Sequence, residues 1–232
     1  MLIGGLQKVT LIDYPGKVAA TVFLTGCNFR CPFCYSKELV LPEEIKKQPV
    51  ISEKDFFDFL KERKDLLQGV VLCGGEPTIS EDLPEFCEKI KEMGYLVKLD
   101  TNGSNSKMIE KLIKERLIDY VAMDIKAPKE KYDFYSGNKA DIKKIKKSVD
   151  ILKQGKIDFE FRTTVAPGLK KQDILEIADW IGGKKVSYFL QEFNSQKPVL
   201  NPEILKLPTL KQEDIEKIIE TIKPKFQTCR LR

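Results

Sequence analysis

The run VAATVFLTGCNFRCPFCYS, residues 18 to 36, decides how the chain reads: a β-rich stretch ends at Gly26 and passes directly into Cys27, Cys31 and Cys34. Working outward, similar β-rich runs recur at 69 to 75, 95 to 103, 120 to 126, 158 to 168 and 186 to 194. Amphipathic helical stretches lie between and after them, near 52 to 67, 81 to 93, 105 to 116, 139 to 154, 171 to 182 and 211 to 223. Alternating strand and helix is the pattern of repeated units around a parallel sheet, so the expected class is α/β. A hairpin-like preface, LQKVTLIDYPGK, turns at Tyr14, Pro15 and Gly16.

The unusual residues fall just beyond the ends of successive strands. The cysteine loop follows the first, GGEPT (74 to 78) the second, DTNG (100 to 103) the third, and DIK (124 to 126) closes the fourth. In parallel sheets and barrels that rim is where ligands bind. Asp124 and Lys126, two residues apart on one strand, point to the same face, where charge is costly unless paired or used.

Composition excludes several classes. With 232 residues, 42% hydrophobic and 32% charged, the chain suits one well-buried domain, expected to span 1 to 232 with the hairpin at about 1 to 17 and a helix and tail at about 203 to 232. No apolar run is long enough to cross a bilayer and no secretion signal is read, so a cytoplasmic location is expected. A net charge of +5, spread along the chain, defines no nucleic-acid surface, and KKIKK (143 to 147) reads as the solvated face of a helix. Histidine is absent, which removes the commonest general base and nitrogen ligand.

Six cysteines in such a chain suggest metal or redox chemistry rather than disulfides. A CxxxCxxC run cannot close a tetrahedral zinc site alone, though Cys73 or Cys229 could complete one. Three thiolates can instead hold three irons of a 4Fe-4S cluster and leave the fourth open to a substrate. Gly26 and Pro32 suit the loop's turn, and Phe33 and Tyr35 could shield a cluster from water.

CNFRCPFC followed by GGEP resembles the paired motifs of the radical S-adenosylmethionine (SAM) superfamily, and nearly the whole chain, from IDYPGK to RTTVAPG, resembles its glycyl-radical enzyme activating enzymes. The resemblance implies a partial (β/α)6 barrel of the TIM type with parallel strands, a 4Fe-4S cluster on Cys27, Cys31 and Cys34, and SAM as the ligand of the open iron. Reductive cleavage of SAM would yield a 5'-deoxyadenosyl radical that takes hydrogen from a glycine Cα of a partner, most readily anaerobic ribonucleotide reductase. It further implies SAM contacts from Phe33, Tyr35, Gly74, Gly75, Glu76, Asp100, Lys126, Arg162 and Thr164. Asn194 would join these contacts by hydrogen bonding, standing where pyruvate formate-lyase activase has a histidine near the sugar of SAM. Asp100, Thr101, Asp124 and the carbonyl of Ala122 would hold a monovalent cation. Reduced flavodoxin or ferredoxin would supply the electron under anaerobic conditions. The rivals are a radical SAM enzyme acting on a small molecule or RNA, and a non-catalytic zinc or iron-sulfur module. Cys73, Cys87 and Cys229 read as structural.

Overall fold

The computed structural model describes residues 1 to 232. Its strands are β1 (Ile3–Thr10), β2 (Ala19–Leu24), β3 (Gly69–Gly74), β4 (Leu96–Thr101), β5 (Tyr120–Asp124), β6 (Asp158–Thr164), β7 (Gly183–Gln191) and β8 (Phe226–Leu231). They form one sheet in sequential order. Doubly wound sheets reverse their order at a switch point, whereas a barrel winds strand after strand, so the order supports barrel-type winding. β1 pairs antiparallel with β2, and the pairs β2–β3, β3–β4, β6–β7 and β7–β8 are parallel.

Six strands were expected and each is present; β1 and β8 are additional. The preface is half of a hairpin whose other half is β2, and its turn is where the sequence places it: Lys17 N–H donates to the Tyr14 carbonyl at 3.1 Å and Gly16 has φ +70°. β8 was hidden in the expected tail because its buried residues, Phe226 and Cys229, are spaced by three rather than two. Against β7 the register is irregular between Gly183 and Ser187, where four residues of β7 oppose two of β8.

Two compact units interleave along the chain. The first comprises residues 1–28, 36–101 and 107–121. Ala19, Ala20, Val22, Val70, Val71, Leu72, Val97 and Leu99 are fully buried along β2, β3 and β4, as strands covered on both faces require. The helix Glu53–Glu62 starts where the Ser52 hydroxyl accepts from Asp55 N–H at 3.0 Å, and it buries Phe56, Phe59 and Leu60 on one stripe. Phe56 stacks on Phe86 of the helix Leu83–Glu92 at 5.4 Å. Each such ring contributes roughly 1.5–3 kcal/mol by leaving water.

The second unit comprises residues 29–35, 102–106 and 122–232. Its helix Ile142–Lys153 is capped by Asp141, which accepts from Lys143 and Lys144 N–H. The helix buries Ile145, Val149, Ile151 and Leu152 while the KKIKK lysines face outward, as read from the sequence. No helix of the chain is long and apolar enough to cross a membrane.

Candidate active site

In the first unit the site is built where β2 and β3 end. Gly26 leaves β2 with φ +89°. Gly75 N–H donates to the Leu24 carbonyl and Glu76 N–H to the Gly26 carbonyl, both at 2.7 Å. Only glycine permits this approach: a Cβ on Gly75 would lie 1.9 Å from the Gly26 oxygen, and one on Gly74, at φ +117°, would lie 2.3 Å from the Leu24 oxygen. The glycines of GGEP therefore seat the turn against the entrance to the cysteine loop.

Glu76 is 1% exposed and its placement is over-determined. Its Oε1 accepts from Thr78 N–H at 3.1 Å, from the Thr78 hydroxyl at 2.5 Å and from the Thr101 hydroxyl at 2.6 Å. A carboxylate held by three donors keeps one orientation. One residue before Thr101, Asp100 is ion-paired to Lys98, which lies two residues back on the same face of β4.

In the second unit the remainder of the loop is held from two sides. Cys34 N–H donates to the Cys31 carbonyl at 3.0 Å, making a tight turn around Pro32 and Phe33. On one side, Arg30 N–H donates to the Ser136 carbonyl at 2.8 Å, and Gly137 ends the short helix Tyr132–Ser136 at φ +70°. A Cβ there would lie 1.8 Å from the Arg30 oxygen. On the other side, the segment after β7 runs along the loop, with Leu200 N–H donating to the Cys34 carbonyl at 2.8 Å and Asn201 N–H to the Pro32 carbonyl at 3.0 Å. Tyr35 stacks on Phe193 at 5.6 Å, and its hydroxyl oxygen accepts from Asn194 N–H at 2.7 Å.

The charged cluster of this unit is Asp124, Lys126 and Arg162. Lys126 Nζ donates to Asp124 Oδ2 at 2.8 Å and Arg162 Nε to Asp124 Oδ1 at 2.9 Å. Burial would raise the Asp124 carboxyl, but the Arg162 and Lys126 charges hold it well below the usual carboxylate range. Burial would likewise lower Lys126, yet Asp124, with a further pull from a Cys31 thiolate, pushes it above the ordinary lysine range. Two cations on one carboxylate leave a net positive site, and Lys126 also lies over the Phe33 ring at 5.8 Å.

The other expected residues are placed as follows. Ala122 is buried on β5, and Thr164 ends β6 in register with Gln191. Asn194 uses its backbone on Tyr35 and its Oδ1 to accept from Gln196 N–H at 2.9 Å. No disulfide joins the six cysteines. Cys87 and Cys229 are buried, and burial pushes their thiols up to about 12 and about 11 respectively, the opposite of what a metal ligand needs. Sequence reasoning passed over Lys98, Gly137 and the strap at 192–201. The dipeptide Ser136-Gly137 was an available helix-end signal, whereas the strap carries no local pattern.

The model of the radical SAM superfamily matches residues 21–181. A candidate glycyl-radical enzyme activating enzyme of Methanocaldococcus jannaschii is 35% identical over 225 residues, 94% of this chain and 90% of its own. A probable GTP 3',8-cyclase of Thermococcus kodakarensis is 28% identical over 183 residues, 74% of this chain and 54% of its own. The crystal structure of Streptococcus suis SuiB superposes with a TM-score of 0.68 at 14% identity, covering 91% of this chain and 48% of that one, and shares its fold. With its strand order, its motifs at the strand ends and a family match over residues 21–181, the chain belongs to the radical SAM superfamily.

Proposed function

We propose that this protein is a glycyl-radical enzyme activating enzyme, with anaerobic ribonucleotide reductase as its partner. The observation that carries the reading is the near full-length likeness to the M. jannaschii activase candidate. The IDYPGK turn agrees with it, as does the spacer between Cys34 and GGEP, which holds Cys73 but no added cysteine cluster.

The residues fit a 4Fe-4S cluster and SAM. Cys27 and Cys34 are half-buried, Cys31 is 9% exposed, and none is in a disulfide. Cys27, Cys31 and Cys34 would hold the cluster, which would supply the one electron needed for reductive cleavage of SAM and so for hydrogen abstraction from the glycine. The chain's own residues do the positioning. The net positive group of Asp124, Lys126 and Arg162 suits the methionyl carboxylate, and Glu76, with its own N–H and that of Gly75 already donated, meets the methionyl amine with acceptors. Phe33 and the strapped Tyr35 exclude water from the loop. The electron comes from reduced flavodoxin or ferredoxin in an anaerobic cytoplasm. A second reading, SAM radical chemistry on a small molecule, is favoured by the likeness to the GTP cyclase.

The test is anaerobic reconstitution, addition of SAM and dithionite, and chromatography for 5'-deoxyadenosine, with and without candidate partners. A glycyl radical signal by electron paramagnetic resonance with the reductase supports the proposal. Consumption of SAM with no glycyl radical in any glycyl-radical enzyme, and turnover of a small molecule instead, supports the second reading.

A further inference from the structure

The resemblance calls for a monovalent metal ion among Asp100, Thr101, Ala122 and Asp124, and the donor set found here does not fit one. Asp100 already carries the Lys98 ammonium, and Asp124 already carries both Lys126 and Arg162. A further cation at Asp100 would meet a positive charge instead of a vacant carboxylate.

We propose that Lys98 is a built-in monovalent cation: its ammonium satisfies Asp100 from within the chain, and the protein requires neither potassium nor sodium. Lys98 is a poor candidate for incidental pairing. Its side chain is 1% exposed, in register with Val71 on β3, and its Nζ lies 5.9 Å from the Tyr120 ring centroid. Val71 and Tyr120 belong to an apolar cluster with Tyr14, Ala19, Cys73 and Leu96. A lysine is costly in such a lining unless its charge is paired. Here the aliphatic stem lies among apolar neighbours, the ring faces the charge, and the head reaches the single acidic group two residues along β4. An ammonium matches a monovalent metal ion in charge and in its need for oxygen partners, but it is covalently attached and cannot be exchanged.

The test is SAM affinity and thermal unfolding of the reconstituted protein in potassium, sodium or ammonium chloride against choline chloride, whose cation is too large for the site. Wild type is expected to hold SAM within about twofold and to melt at the same temperature in all four. Lys98→Ala opens the position, so its melting temperature should fall in choline and rise saturably with potassium, ammonium or methylammonium. Two outcomes overturn the proposal: wild-type SAM affinity that drops fivefold or more in choline, or a folded Lys98→Ala that binds SAM normally and ignores every cation. If Lys98→Ala does not fold, thallium(I) titration of wild type decides, because saturable binding at stoichiometric level refutes a built-in cation and its absence supports one.

Discussion

The Thr101 hydroxyl donates to Glu76 Oε1 at 2.6 Å, which ties the end of β4 to the turn after β3 through a carboxylate that is 1% exposed. Two motifs 25 residues apart in sequence are thereby a single hydrogen-bonded unit. A buried carboxylate that loses one of its donors bears part of its desolvation cost uncompensated.

Thr101→Val should therefore cost about 1–3 kcal/mol in urea unfolding, the range for a charge-assisted buried hydrogen bond, while Thr101→Ser stays within about 0.5 kcal/mol. Glu76→Gln keeps the shape and removes the charge. It should weaken SAM binding about tenfold or more with a smaller effect on melting temperature, read by isothermal titration. Equal SAM affinity in Glu76→Gln would exclude Glu76 from recognition of the amine.

Gly75→Ala and Gly137→Ala test the two supports of the cysteine loop separately. Each would bring a Cβ within 2 Å of a loop carbonyl oxygen, at Gly26 and Arg30 respectively, with Gly137 also at positive φ. Neither backbone can yield cheaply, so each variant should bind fewer irons on reconstitution than wild type, measured against protein concentration. Gly94→Ala is the control: it shares a positive φ of +88° but meets nothing within 4 Å, so it should lose about 1 kcal/mol of stability and no iron.

The sequence made the repeating strands and the rim motifs legible because both are local: buried parallel strands are apolar throughout, and motif residues follow them immediately. Asp124 and Lys126 were readable as a pair from period-two geometry alone. The partners that complete the site were less visible. Lys98 stands in the same period-two relation to Asp100, but among 40 basic residues that spacing is inconspicuous until its side chain is seen to be buried. Gly137 and the strap through Leu200 and Asn201 act on loop carbonyls through backbone contacts, and backbone contacts between distant segments leave no side-chain pattern to read. β8 escaped because its buried residues, Phe226 and Cys229, do not alternate.

Asp124→Asn leaves Lys126 and Arg162 sharing a neutral amide. The pair is only partly exposed, so the loss should be about 2–4 kcal/mol. The sign with pH follows from the direction of the shift: a carboxyl lowered in the folded state stabilises above its unfolded value and loses that contribution as pH falls through the folded one. Wild type should thus lose more stability than Asp124→Asn on going from pH 5 to acid below about 3.8, the ordinary Asp value. Parallel acid profiles for the two proteins, measured by urea titration, would argue against an ionised Asp124 at the centre of this cluster.

Cys87 makes the opposite prediction at alkaline pH. It is fully buried on the helix Leu83–Glu92, and burial pushes its thiol from 9.0 to about 12. A group whose folded pKa is raised contributes stability that is complete below its unfolded value and is lost as pH climbs towards the folded one. Between pH 9 and 12 wild type should therefore lose stability from this thiol alone, at up to about 1.4 kcal/mol per pH unit in the middle of the range. Cys87→Ala lacks the titrating group, so the stability difference between the two proteins should shrink by about 1 kcal/mol from pH 9 to pH 10 and continue to shrink above it. A constant difference across the range would mean that Cys87 is reached by water or held by a cation, and that reading it as an inert helix residue is wrong.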